Sequence, residues 1–146
     1  MADPREEAWA EIRQWSWAAY TGNDEMRLTS YTPLLINAEA TEYILLTRAA
    51  GEALKKGYAG FAIKHVEYEQ DLDALRPRMP ALMLEPIGNY GDLLAFRRDN
   101  TASVGRVRQT TYVIELYDDA ALARHGGFDA TETYLAMSEI LIARYL

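Results

Sequence analysis

Apolar positions at the start of the chain recur with the period of a helix. Ala8, Ile12, Trp15 and Ala19 share one side, with Trp9 and Ser16 beside that stripe. Asp3 is placed to cap the helix, Pro4 suits its first position and Glu6 is a favourable first-turn acid, so the pattern predicts a helix to about residue 20. Trp17 falls off the stripe, which makes it a candidate subunit contact. Core or edge packing is the plainer reading of Trp9 and Trp15. Thr21-Gly22-Asn23-Asp24 is turn-forming, and the stretch that follows, with Pro33 and Leu34-Leu35-Ile36, reads as a loop with a short extended piece. Asn37 caps a second helix that runs to about residue 56 and buries Tyr43, Ile44, Thr47, Ala50 and Leu54. Gly57 closes it, and Lys55 and Lys56 suit its negative end.

Beyond Gly60 the period changes to two. Residues 61–68 alternate as a strand, and residues 70–78, with Asp71, Asp73 and Pro77, form a polar connection. Residues 79–87 read as a second strand, placed at a sheet edge by Pro80. Gly88-Asn89-Tyr90-Gly91 reads as a turn, residues 93–98 as a short third strand, and residues 99–105 as a second turn-rich loop. The longest alternation covers residues 106–117. A last helix begins at Asp129 with Glu132 at capping-box spacing, and carries Tyr134, Met137, Leu141 and Tyr145 on one face. Strands joined by short turns pair antiparallel. The expected fold is therefore α+β: an antiparallel three- to four-stranded sheet packed with two or three helices. One domain is expected overall, with residues 1–36 as an N-terminal helix and linker packed on a core of residues 37–146.

The 146 residues are 49% hydrophobic, enough for one core. A net charge of −7 gives no general reason to expect nucleic-acid binding. The absence of cysteine excludes disulfides, thiolate zinc sites and cysteine nucleophiles. The acidic, amphipathic start does not resemble a secretory signal, and no apolar run has the length of a membrane span, so a cytosolic site of synthesis is expected.

Chemistry-bearing patterns are sparse. His65 falls in a strand and His125 before Gly126-Gly127, neither at a ligand spacing from the other or from an acid. The pairs Asp71/Asp73 and Asp118/Asp119 offer oxygen ligands to a hard cation but are common in exposed turns. None of Ser16, Ser30, Ser103 and Ser138 stands in a nucleophile elbow, and the glycines form no phosphate-binding loop. The expectation is a protein that is not an enzyme and uses no cofactor or metal. One uneven feature is basic: Arg76, Arg78, Arg97, Arg98, Arg106 and Arg108 hold six of the fifteen Lys and Arg residues. Solvated strand ends explain them most simply. Alternatively residues 88–105, with Tyr90, Phe96, Arg97 and Arg98, form a docking arm whose arginines meet acidic neighbours, and DNA contact is a weaker version of that idea.

The stretch AIKHVEYEQDLDALRPRMPALMLEPIG, residues 62–88, resembles a pattern in small tail proteins of contractile-tailed bacteriophages, the Mu-like tail-terminator family. There a strand leads through an acidic turn into a proline-containing hydrophobic strand, matched here by Val66-Glu67-Tyr68, Asp71 to Leu75, and Met79 to Leu84. Residues 109–117 are similar to the strand before the last helix of tail terminators, whereas the first 36 residues depart from the pattern. The resemblance implies a structural virion subunit, assembled in the host cytoplasm. It would form a ring, commonly hexameric, at the head-proximal end of the tail, touching tail tube, sheath and neck or connector proteins. DNA would pass through the lumen without specific binding, and no membrane would be involved. Such a ring subunit needs exposed aromatics, arms and a spare strand edge. Trp17, Tyr90, Phe96, Arg97, Arg98 and Arg106 are the candidate contacts. The other classes left open are an adaptor for a single protein partner and a metal-dependent enzyme using Asp71 or Asp118.

Overall fold

The computed structural model describes residues 4–22, 24–31, 38–70, 79–81, 86–101 and 107–144. The chain runs α1 (Pro4–Trp15), β1 (Ser16–Tyr20), β2 (Glu25–Tyr31), α2 (Ala38–Lys55), β3 (Gly60–Gln70), β4 (Met79–Ala81) and α3 (Tyr90–Thr101). It continues through β5 (Val107–Tyr117), α4 (Asp119–His125) and β6 (Phe128–Asp129) to α5 (Ala130–Arg144). The strands form one antiparallel sheet in the order β1-β2-β5-β3-β4, with β6 also beside β3.

Alternation sorts the sheet into two faces. Met26 and Leu28 on β2, Tyr112, Ile114 and Leu116 on β5, and Phe61 and Ile63 on β3 are buried in one cluster with Leu45, Leu46, Ala49, Ala50 and Ala53 of α2. A register shift between Ile63 and His65 returns Val66 to that cluster, as a bulge does when it adds one residue to a strand. Helix α2 is the middle layer, buried at every position from 40 to 53, because it meets β1, β2, β3 and β5 on one side and α1 and α5 on the other. Ile12 of α1, Tyr43 and Ile44 of α2, and Leu141 of α5 make the second cluster on that far side. The opposite sheet face is polar. Arg27 pairs with Glu67 at 3.0 Å, Lys64 with Glu25 at 2.9 Å, and Thr29 bonds Thr111 at 3.1 Å.

The α+β class is as expected, but the sheet and the helix set are larger. The first helix stops at Trp15 rather than about residue 20, and Ser16 turns its hydroxyl back to the Ile12 carbonyl as the chain extends into β1. Residues 25–31, within a stretch expected as a loop with a short extended piece, are β2, whose alternation of Met26, Leu28 and Ser30 against Arg27 and Thr29 matches a strand buried on one face. The strand expected over 93–98 is part of helix α3. Asn89 caps it by accepting from the Asp92 amide at 2.8 Å, and the Asn89 amide group donates to the Asp92 carboxylate at 2.9 Å, a reciprocal lock that outweighs the turn character of Gly91. His125, expected in a loop, ends α4, which Asp118 caps through the Ala121 amide. Leu54, expected to be buried, is exposed.

Other expectations hold. Gly57 follows α2 with φ of 83°, and Asp129 accepts from the Glu132 amide at the start of α5. Among the described residues Pro80 lies in an edge strand, β4, and Ile87 exchanges both backbone bonds with Ile63 of β3. Asp3, Asp71, Asp73, Arg76, Arg78, Arg106 and Tyr145 lie outside the described residues. Among the described residues, no helix is long and apolar enough to cross a membrane.

Candidate assembly edge

Strand β1 ends the sheet: β2 lies on one side of it, and among the described residues no strand lies on the other. Its register sets what it presents. Trp17 opposes Thr29 and Ala19 opposes Arg27, so both face away from the helices, while Ser16, Ala18 and Tyr20 face the helix side. The Thr21 amide donates to the Glu25 carbonyl at 3.1 Å. Bonded and non-bonded pairs alternate along an antiparallel ladder, so Trp17 and Ala19 exchange bonds with β2. It follows that Ala18 and Tyr20 turn their backbone N–H and C=O groups outward, whereas Ser16 is buried and its carbonyl accepts from Arg48.

Three contacts hold this edge against the body. Arg48, buried on α2, bonds Glu52 at 3.0 Å and donates to the Ser16 carbonyl and hydroxyl at 3.3 and 3.2 Å. Its guanidinium lies 5.7 Å from the centre of the Trp9 ring, so one cation joins α1, α2 and the first residue of β1. Gly51 makes that approach possible, because a Cβ there would fall 2.4 Å from the Trp9 ring. At the other end Lys56 sits 4.9 Å from the centre of the Tyr20 ring, and the Tyr58 hydroxyl donates to Asp24 at 2.6 Å. Burial, then the charge of Glu52, hold the Tyr20 phenol above its ordinary pKa, so it stays protonated.

The edge is aromatic. Trp15, Trp17 and Tyr20 are 39%, 52% and 42% exposed, the concentration of large exposed apolar side chains among the described residues, where Leu54 and Leu135 stand elsewhere. Edge strands are usually guarded by charges or proline. β1, with the sequence Ser-Trp-Ala-Ala-Tyr, carries neither. Trp17 was legible in the sequence as an aromatic off a helical stripe. Trp15, read with Trp9 as core or edge packing, is instead exposed at the end of α1, and Tyr20 has no contact signal in the sequence.

The other candidate contacts lie elsewhere. Tyr90, Phe96, Arg97 and Arg98 are all on α3. Tyr90 and Phe96 pack partly buried on the main cluster, and Tyr90 lies 6.0 Å from Tyr43, ring centre to ring centre. Arg97 donates at 2.8 Å to Glu42, a carboxylate only 2% exposed, and so fastens α3 to α2. Arg98 is exposed near the end of α3, and Arg106 lies outside the described residues. Asp118 and Asp119 serve α4 as cap and first-turn acid, and among the described residues no three His, Asp or Glu side chains gather to hold a metal ion. Comparison of the chain with protein-family models, with curated proteins and with solved structures found no match.

Proposed function

We propose that this chain is a structural assembly subunit: a tail-terminator or tail-completion protein that forms a ring at the head-proximal end of a phage tail and joins the tube to the neck. The observation that supports assembly is the β1 edge, an unguarded strand flanked by three exposed aromatic rings. Such an edge offers a second chain both backbone hydrogen bonds and apolar area. The tail assignment rests on the resemblance of residues 62–88 and 109–117 to tail terminators. In this reading the work of the protein is binding rather than catalysis, its partners are further copies and the tail tube, sheath and neck proteins, and its location is the virion. The net charge of −7 suits a lumen through which DNA slides, since phosphates are repelled.

The test is the solution mass by multi-angle scattering over a concentration series, with negative-stain imaging of the large species. Self-association that Trp17→Lys abolishes supports the reading, and closed rings seen on tail tubes support its finer form. A mass that stays at 16.5 kDa at every concentration overturns it.

A further inference from the structure

We infer that helix α3 opens as a lever while the rest of the fold stays closed, its root fixed beside Gly88 and its far half latched by the Arg97–Glu42 bond. This goes beyond the assembly reading and does not depend on it. The root is firmly held. Ile87 and Ile63 exchange both backbone bonds, at 2.7 and 2.8 Å, so the chain entering α3 is tied to β3. Gly88 then lies so close to Gly127 that an added Cβ would stand 3.0 Å from the Gly127 Cα. Asn89 and Asp92 lock the first turn of the helix.

Beyond that turn the hold is light. Among the described side chains of α3 only Leu93 is buried; Phe96 is partly buried, and Arg97 reaches Glu42 at 2.8 Å. A helix satisfies its own backbone, so lifting α3 breaks no sheet pairing. Helix α2 is the contrast. It is buried at every position from 40 to 53 and contributes to both clusters, so it cannot move without dismantling them. An element with few buried apolar side chains opens at a lower free energy than the whole molecule.

The latch makes the closed position specific. The Glu42 side chain is 2% exposed and that of Arg97 25%, and in a buried pair the loss of hydration offsets much of the attraction. Opening returns both charges to water, so the bond sets where α3 docks more than how firmly it docks. Removing the guanidinium acts differently, because Glu42 is then buried without this cation in the closed form alone. Opening uncovers Glu42 together with Leu93 and Phe96, which closed α3 packs against the main cluster.

The experiment is hydrogen exchange, read by mass spectrometry of peptides at urea concentrations below unfolding, on the wild type, Arg97→Met and Met26→Ala. In the wild type the amides of residues 90–101 should exchange faster than those of residues 40–53 and with little dependence on urea, the mark of a local opening. Arg97→Met should speed α3 exchange about tenfold or more, because it penalises the closed form alone. Should that variant not fold, Arg97→Lys, which keeps the charge and gives up the fork geometry, is read in its place. Met26, buried on β2 and separated from β3 by β5, is packed alike in both forms. Met26→Ala should therefore speed exchange in α2 and leave α3 unchanged. An α3 that exchanges only together with α2, at one rate and one urea dependence, overturns the lever. An α3 that opens alone but is not loosened by the change at Arg97 overturns the latch.

Discussion

Trp17 shows how one side chain changes meaning with its backbone. On a helix it would be an outlier beside a packed stripe; on β1 it stands on the polar sheet face, 52% exposed, opposite Thr29. Trp17→Lys should leave the fold intact, because the indole is outside both buried clusters, and should abolish self-association by charging the edge. Thermal melting and scattering mass together check this. Arg97 is the reverse case. Sequence reasoning set it aside for a partner, yet it neutralises Glu42, which is almost wholly buried. Replacing Arg97 with Met strands a buried acceptor, so urea unfolding should show a loss of about 1–3 kcal/mol. Phe61, fully buried and stacked at 4.9 Å on Phe128, is worth more: Phe61→Ala should cost about 3–5 kcal/mol by the same measurement.

At the scale of elements, the helix spanning 38–55, the strands at 60–70 and 107–117 and the helix from 130 were legible because each carries a clean period and a cap or stop signal. The β1–β2 hairpin and α3 were not. Ser16 to Tyr20 continues a helical stripe without a breaker, and only tertiary pairing with β2 makes it a strand. In α3 the glycines around Tyr90 outvoted a cap that needs just Asn89 and Asp92. The candidate site was legible only as Trp17, since an edge exists only once strand order is known. The hairpin depends on α2 through Gly51 and Arg48. Gly51→Ala would drive a methyl group into the Trp9 ring, so a loss of about 1–3 kcal/mol is expected in a denaturant titration.

The Lys64–Glu25 pair on the open face gives a pH signature at the same scale. Hydrogen bonds from Lys64, then Thr21, hold the Glu25 carboxyl below its ordinary pKa, and the bond to Glu25 raises the Lys64 ammonium. A lowered carboxyl stabilises the fold above its unfolded value and loses that contribution as pH falls through the folded value. A raised ammonium contributes below its unfolded value and is lost as pH rises through the folded one. Lys64→Met should therefore be less stable than wild type by under about 1 kcal/mol at neutral pH, because the pair is part-exposed. The gap should begin to shrink as pH falls below the ordinary carboxyl value of about 4.3 or rises above the ordinary ammonium value of about 10.4.

For the whole molecule, the asymmetry of the sheet is decisive. One face is covered by α2 with α1 and α5 behind it, the other is polar, and among the described residues the exposed aromatic rings gather at the β1 edge, a strand that itself carries no charge. The proposed assembly role rests on that edge. The most direct measurement is the scattering mass of the wild type and of Trp17→Lys across the same dilution series. The account predicts that the wild type rises from 16.5 kDa to a multiple of it while the variant remains at one chain. A wild type that stays at one chain throughout, or a variant that assembles equally well, would contradict it.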